Sequence, residues 1–201
     1  MFIIAGYLAG SVLFAPVWGR VFTKKDIIEH TKDHNPGTAN AFMQGGFGCG
    51  IATLICDMAK GFLPVFLCIH LSEKYGIHSA AGMAFVMLSP VIGHNFPLYT
   101  GFKGGKGIAT SFGVLLGFYP DLKIALTLAI WFILFSLVIR ITPHYYRTIG
   151  SYAVAMFFVV FGNFLPEQKL GFVMIAVAVC VRMHLSDEKR EECKVRLLWK
   201  H

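Results

Sequence analysis

Charge is what this 201-residue chain has least of: Asp, Glu, Lys and Arg make up only 14 % of it, against about a quarter in an ordinary soluble domain. With 56 % hydrophobic residues and a mean hydropathy of +0.63, that shortage excludes a globule with a normal polar surface. A secretory signal does not account for the hydropathy, because no long polar body follows the first apolar stretch and such stretches recur along the whole chain. The five cysteines, Cys49, Cys56, Cys68, Cys180 and Cys193, form no CxxC pair and read as small buried residues in a reducing setting. The eight histidines lack HExxH or similar spacing, so no metal site is expected. A basic face with interleaved aromatics on a soluble module is missing as well, which argues against nucleic acid as a partner.

What the chain does have is apolar runs, at 2–18, 51–71, 80–99, 108–119, 122–141, 151–165 and 170–183. Several approach the ~20 residues a helix needs to cross a bilayer, while the shorter ones must lie obliquely or reach only partway. The pattern predicts an all-α integral membrane protein of about seven transmembrane or partial helices. It forms one polytopic domain over 1–201, with loops at 20–50, 100–107 and 140–150 and a basic tail at 184–201. If all seven runs cross, the odd loops and the tail hold fourteen basic residues and the even loops three, Lys74, Lys123 and Lys169. The positive-inside rule then puts the N-terminus outside and the C-terminus, with those loops, in the cytoplasm. The net charge of +7 reads as topology plus attraction to anionic lipid headgroups.

The unusual polar features fall on that one face. Lys103-Gly104-Gly105-Lys106-Gly107 runs straight into Ile108-Ala109-Thr110-Ser111. Glycines let successive backbone N–H groups converge on an anion, and a helix start adds unpaired N–H groups and the positive end of its dipole. It is not a Walker A loop, since Gly107 and not Ser or Thr follows Lys106. Close helix packing by the glycines is the alternative, and the pattern alone leaves both open. An Asn35-Pro36-Gly37 turn, followed by Thr38 and Asn40, adds short polar groups. Asp57 and Lys60, three apart on one helical face, suggest an ion pair near the interface. Gly10-Ser11 before Arg20, the Thr148 to Ser151 stretch after Arg147, and His184 complete the set. Together they suit an anionic, phosphorylated ligand approached from the cytoplasm.

These residues resemble the bacterial membrane family of acyl-phosphate:glycerol-3-phosphate acyltransferases from end to end. Gly10, Ser11 and Arg20 match its GS followed by a base. The turn from Asn35 to Asn40 resembles its NPGATN. Asp57, Lys60, Gly61 and Pro64 match D-x-x-KG-x-x-P, and GHNFP followed by FKGGKGIAT matches its most specific motif. Gly150-Ser151 and His184 agree with its third motif. The resemblance implies seven helices with the N-terminus outside, and acyl transfer from acyl phosphate to the first hydroxyl of glycerol 3-phosphate. The product is lysophosphatidate, a phospholipid precursor. It implies no cofactor, metal, coenzyme A or acyl carrier protein, and a place in the bacterial cytoplasmic (inner) membrane with the site on the cytoplasmic face. Carried over, Lys106, Ser151 and His184 would be catalytic. Ser11, Arg20, Asn35, Gly37, Thr38, Asn40, His94, Asn95, Lys103, Gly104, Gly105, Gly107, Thr110 and Ser111 would bind substrate and its phosphate. The chain departs from the family pattern at Asp33, at Thr38-Ala39 (hydroxyl one position early), at Met43 in place of an arginine, and at Asp187 in place of an asparagine. Two alternatives stand beside this reading. One is a divergent paralogue with another acyl acceptor. The other is a non-catalytic lipid-binding or transport protein, for which no convincing inverted repeat is found.

Overall fold

The chain is described by a computed structural model over residues 1–24, 26–28, 35–75, 79–186 and 191–198. Asp33, Lys32, His34 and Asp187 lie outside these residues. Eight helices account for most of the rest: α1 (Phe2–Gly10), α2 (Phe14–Thr23), α3 (Thr38–Tyr75), α4 (Ala80–Asn95), α5 (Ile108–Leu116), α6 (Lys123–Ile133), α7 (His144–Phe161) and α8 (Pro166–His184). A π turn, Leu134–Val138, extends α6. The strands β1 (Ile139–Thr142) and β2 (Lys194–Leu197) form an antiparallel pair. Counting α1 and α2 as one broken helix, the seven apolar runs each correspond to a helix. Three stretches, Phe2–Thr23, Thr38–Ser72 and Ala80–Thr100, are long and apolar enough to cross a membrane by themselves.

The break between α1 and α2 has a local cause. A carbonyl at Val12 would bond the N–H of residue 16 in a continuous helix, but Pro16 has no N–H to give. Leu13 takes an extended conformation instead and the helix restarts at Phe14. Helix α3 also changes course, at Gly46, whose φ is +80°. Consequently residues 38–50, read from sequence as loop, are helical on both sides of a kink. The loop expected at 140–150 is likewise strand up to Thr142 and helix from His144, because Pro143 ends β1 and opens α7.

The β pair amends the all-α expectation. Its two four-residue segments, IRIT and KVRL, alternate apolar and polar residues, the period of a half-covered strand. Inside the bundle, Val65, Met87, Val91, Val114, Leu115, Leu128, Tyr152, Phe172, Ile175 and Val179 build one core contributed by six helices. Outside it, Ile4, Val21, Ile55, Leu126, Ile130, Phe157, Phe161 and Val177 are exposed. So wide an apolar surface requires hydrocarbon rather than water around it.

Helices α3 and α5 touch backbone to backbone at glycines. A Cβ on Gly61 would collide with the Thr110 carbonyl, and one on Gly113 with the Met58 carbonyl. This crossing presses α5 against the middle of α3 and fixes where its N-terminus points. Gly113→Val is therefore expected to destabilise the protein by about 1–3 kcal/mol or more, since backbone cannot move aside as a side chain can. Gly82→Ala, in ordinary contact with Ser79, is the control. Thermal unfolding in detergent measures both, and equal midpoints for Gly113→Val and the parent would contradict the crossing.

Candidate active site

The glycine loop is pressed against the end of α4. Gly105 N–H donates to the His94 carbonyl at 3.0 Å, and Arg182 of α8 donates through Nη2 to the Gly104 carbonyl at 2.6 Å. A side chain on Gly105 would strike the His94 ring, and one on Gly107 would strike the Asn95 amide oxygen. Gly107 also has φ +76°, a conformation that glycine alone adopts readily. The loop can therefore approach α4 only as glycine. Helix α5 starts at Ile108 with no side-chain cap on its first amides, leaving orphan donors and a positive dipole end.

Beside that helix start lies a cavity of about 290 Å³. Its polar lining is Asn35, Thr38, Asp57, His94, Lys106 and His144, with Gly37, Gly107, Ile108, Ala109 and Phe112 between them. Lys106 is 7 % exposed. Asn40 holds the wall formed by the Asn35 turn, its side-chain amide donating to the Asn35 carbonyl at 2.8 Å. His144 enters as the first residue of α7. Its Nδ1 is 2.9 Å from Nη2 of Arg147. A guanidinium only donates, so Nδ1 accepts and the proton of the neutral ring is on Nε2, 3.3 Å from the Thr148 hydroxyl.

Behind the cavity stands a buried polar network. Lys60 Nζ lies 2.6 Å from the Val12 carbonyl, 2.8 Å from His94 Nδ1 and 2.9 Å from Asp57 Oδ1. An ammonium only donates, so the Val12 carbonyl and His94 accept from it, while Asp57 faces it as its counter-charge. His94 Nδ1 must accept, which leaves its proton on Nε2, toward the glycine loop. Asp57, Lys60 and His94 are 1 %, 5 % and 3 % exposed. The Asp57–Lys60 pair read from sequence is thus present, and it ties the α1–α2 break to the wall of the cavity.

Of the residues singled out from sequence, Asn35, Gly37, Thr38, His94, Lys106 and Gly107 line the cavity together. Others brace it from behind. Ser11 donates to the Tyr7 carbonyl at 2.8 Å and accepts from Leu98 N–H at 3.3 Å. Asn95 donates to the Ala178 carbonyl at 3.3 Å, and Ser111 to the Gly107 carbonyl at 2.8 Å. Thr110 is fully buried on α5. Four stand elsewhere. Arg20 is on the exposed face of α2, 3.8 Å from Asp26, and Lys103 is exposed. The Ser151 hydroxyl turns back to the Arg147 carbonyl at 2.8 Å. His184 lines a separate groove of about 360 Å³ with Tyr145, Ile149, Cys180, Val181 and Leu185. Met43 is 69 % exposed on α3.

Sequence reasoning missed His144 as a wall residue and Arg182 as the clamp on the glycine loop. The one available signal for His144 was a His-Tyr-Tyr-Arg run opening a helix after Pro143.

Fold and site together define a helical membrane protein whose small, cation-bearing cavity is walled by a glycine loop and a helix start suited to a phosphorylated ligand. The chain belongs to the glycerol-3-phosphate acyltransferase family, whose model matches residues 1–191. It is 33 % identical over 198 residues to the glycerol-3-phosphate acyltransferase of Paraburkholderia phytofirmans, covering 98 % of this chain and 81 % of that one. Among solved structures it is similar to PlsY (YgiH), an integral membrane glycerol 3-phosphate acyltransferase. The glycerol 3-phosphate form matches with TM-score 0.74 and 25 % identity over 92 % of this chain and 87 % of that one. The lysophosphatidic acid form matches with TM-score 0.72 and 26 % identity over 90 % and 85 %. The chain is a bacterial membrane protein.

The buried network makes its own prediction. Lys60→Met leaves Asp57 as an unpaired buried carboxylate, and is expected to cost about 3–5 kcal/mol of stability. Adding Asp57→Asn should restore a large part of it. Unfolding midpoints of the single and double variants in detergent decide; a double variant no more stable than Lys60→Met would contradict the pairing.

Proposed function

We propose that this chain acylates glycerol 3-phosphate at its 1-hydroxyl, taking the acyl group from acyl phosphate and releasing lysophosphatidate and inorganic phosphate for phospholipid synthesis. The observation that carries the proposal is the convergence of Lys106, the uncapped start of α5 and the Asn35–Thr38 turn on one cavity, in a member of this family. Acyl phosphate is a mixed anhydride and already activated, so the protein has mainly to position two substrates and stabilise charge. Coenzyme A, acyl carrier protein and a metal have no step to perform in this scheme.

In this scheme Lys106 and the first amides of α5 hold a phosphate and the charge that develops on it as the anhydride C–O bond breaks. The acceptor hydroxyl oxygen forms the new ester bond to the acyl carbon. Its proton passes to a phosphate oxygen of the substrates, which removes the need for a Ser-His-Asp set. Asn35 and Thr38 offer short polar contacts to the acceptor. His94 and His144, each held as an Nε2–H tautomer, are neutral donors at the wall. The aliphatic chain enters sideways from the bilayer, between apolar helices. The fourteen-to-three distribution of basic residues supports a cavity at the cytoplasmic face of the inner membrane, with the N-terminus outside.

Purified protein in bilayers, given acyl phosphate and glycerol 3-phosphate, is expected to form lysophosphatidate. Lys106→Ala should lower kcat/KM at least about 100-fold, the scale of losing one preorganised donor to a developing oxyanion. Ser151→Ala should change it little, because that hydroxyl is bonded within its own helix. A folded protein that never consumes acyl phosphate would overturn the proposal. Consumption with other hydroxylated compounds but not glycerol 3-phosphate would move it to another acceptor.

A further inference from the structure

The pairing of β1 with β2 sorts its side chains in a way the acyl-transfer chemistry does not use. Arg140 sits directly opposite Arg196, and Thr142 opposite Lys194, while Ile139 faces Leu197 and Ile141 faces Val195. Directly opposed residues share a face and successive residues alternate. One face of the ribbon therefore carries Arg140, Arg196 and Lys194 with Thr142. The other carries four aliphatic side chains.

We propose that this ribbon is a docking surface for the anionic phospholipid headgroups of the surrounding bilayer, with its aliphatic face toward the acyl chains and its cationic face on the phosphates. Four observations lead there. First, two like charges opposed across a strand pair repel, and among the described residues none of the three cations has an ion-pair partner. The nearest acidic residues in the chain, Glu191 and Glu192, precede β2 and are exposed. An anion between Arg140 and Arg196 reverses the sign of that interaction and gives each guanidinium a charge-assisted acceptor. Second, the aliphatic face is open. Val195 is 59 % exposed and Leu197 48 %, a cost in water that a bilayer removes.

Third, exposed apolar residues flank both strands along the chain. The π turn leading into β1 exposes Leu137 by 62 %, and Leu185 just after α8 is 58 % exposed. Fourth, a two-stranded ribbon has free edges whose N–H and C=O groups need water or headgroups, so it cannot sink into hydrocarbon. A headgroup layer meets all four conditions at once. A soluble nucleic acid or acidic protein would answer only the charges and leave the aliphatic face in water. Since β1 leads directly through Pro143 into His144, the ribbon also anchors at the interface the segment that supplies a cavity wall.

The test uses the full chain with its native cysteines replaced, reconstituted in phosphatidylcholine bilayers with or without phosphatidylglycerol. Nitroxide labels are placed singly at Val195→Cys, Arg196→Cys and Leu197→Cys. With phosphatidylglycerol present, labels at 195 and 197 should collide mainly with oxygen and be shielded from a water-soluble nickel chelate, while the label at 196 shows the reverse. Without phosphatidylglycerol, or in Arg140→Gln/Lys194→Gln with the label at 195, the shielding should fall. The lipid exchange needs no ribbon variant, and retained acyl transfer checks folding of the labelled proteins. Equal nickel access at all three positions in anionic bilayers would overturn the proposal. An alternation indifferent to phosphatidylglycerol and to the Gln substitutions would overturn the headgroup contact and leave only apolar anchoring.

Discussion

An ammonium group buried among membrane helices has to be satisfied by the protein, and Lys60 is held by two acceptors and one counter-charge. Each contact reaches a different element. One goes to a carbonyl freed by Pro16 at the break between the first two helices, one to Asp57 on its own helix, and one to His94 at the end of α4. Removing any partner leaves a charge or a dipole stranded where water cannot replace it. The network therefore sets the position of the α4 end, and the α4 end sets the glycine loop. Gly105 rests on the His94 ring and Gly107 on Asn95. From there the chain enters α5 with its first amides turned to the cavity.

This arrangement separates support from chemistry. Asp57 and Lys60 neutralise each other, while Lys106 and the helix start line the cavity. Arg182 reinforces the same wall from the other side by holding the Gly104 carbonyl. A site meant to stabilise charge as a bond breaks benefits from dipoles that do not reorganise. Glycines packed without clearance and a buried lysine fixed by three groups provide that rigidity.

How much of this could be read in the sequence varied with the range of the interaction that decides it. The seven apolar runs and the Lys103–Gly107 loop were legible, because hydropathy and glycine spacing are local properties. The Asp57–Lys60 pair was legible from its three-residue spacing on a helix, but its further partners, His94 on α4 and Val12 at the α1–α2 break, come from elsewhere in the chain and were not. Thr148 and Ser151 occupy neighbouring positions on one face of α7. Sequence could not tell which hydroxyl points to the cavity side; in the structure Ser151 bonds its own helix and Thr148 approaches His144. Arg20 read as a pocket residue because it follows Gly10-Ser11, yet the helix break turns it outward toward Asp26. The strand pair was invisible, since two four-residue segments more than fifty residues apart carry too little alternation to signal their pairing.

The proposed chemistry requires a phosphate held where α5 begins. A structure with a non-hydrolysable acyl-phosphate analogue bound shows whether it is. Its phosphate oxygens are expected within hydrogen-bonding reach of Lys106 Nζ and the first amides of α5, inside the cavity lined by Asn35, Thr38 and His94. A phosphate seated at Arg20, or in the groove beside His184 with the cavity empty, would contradict it.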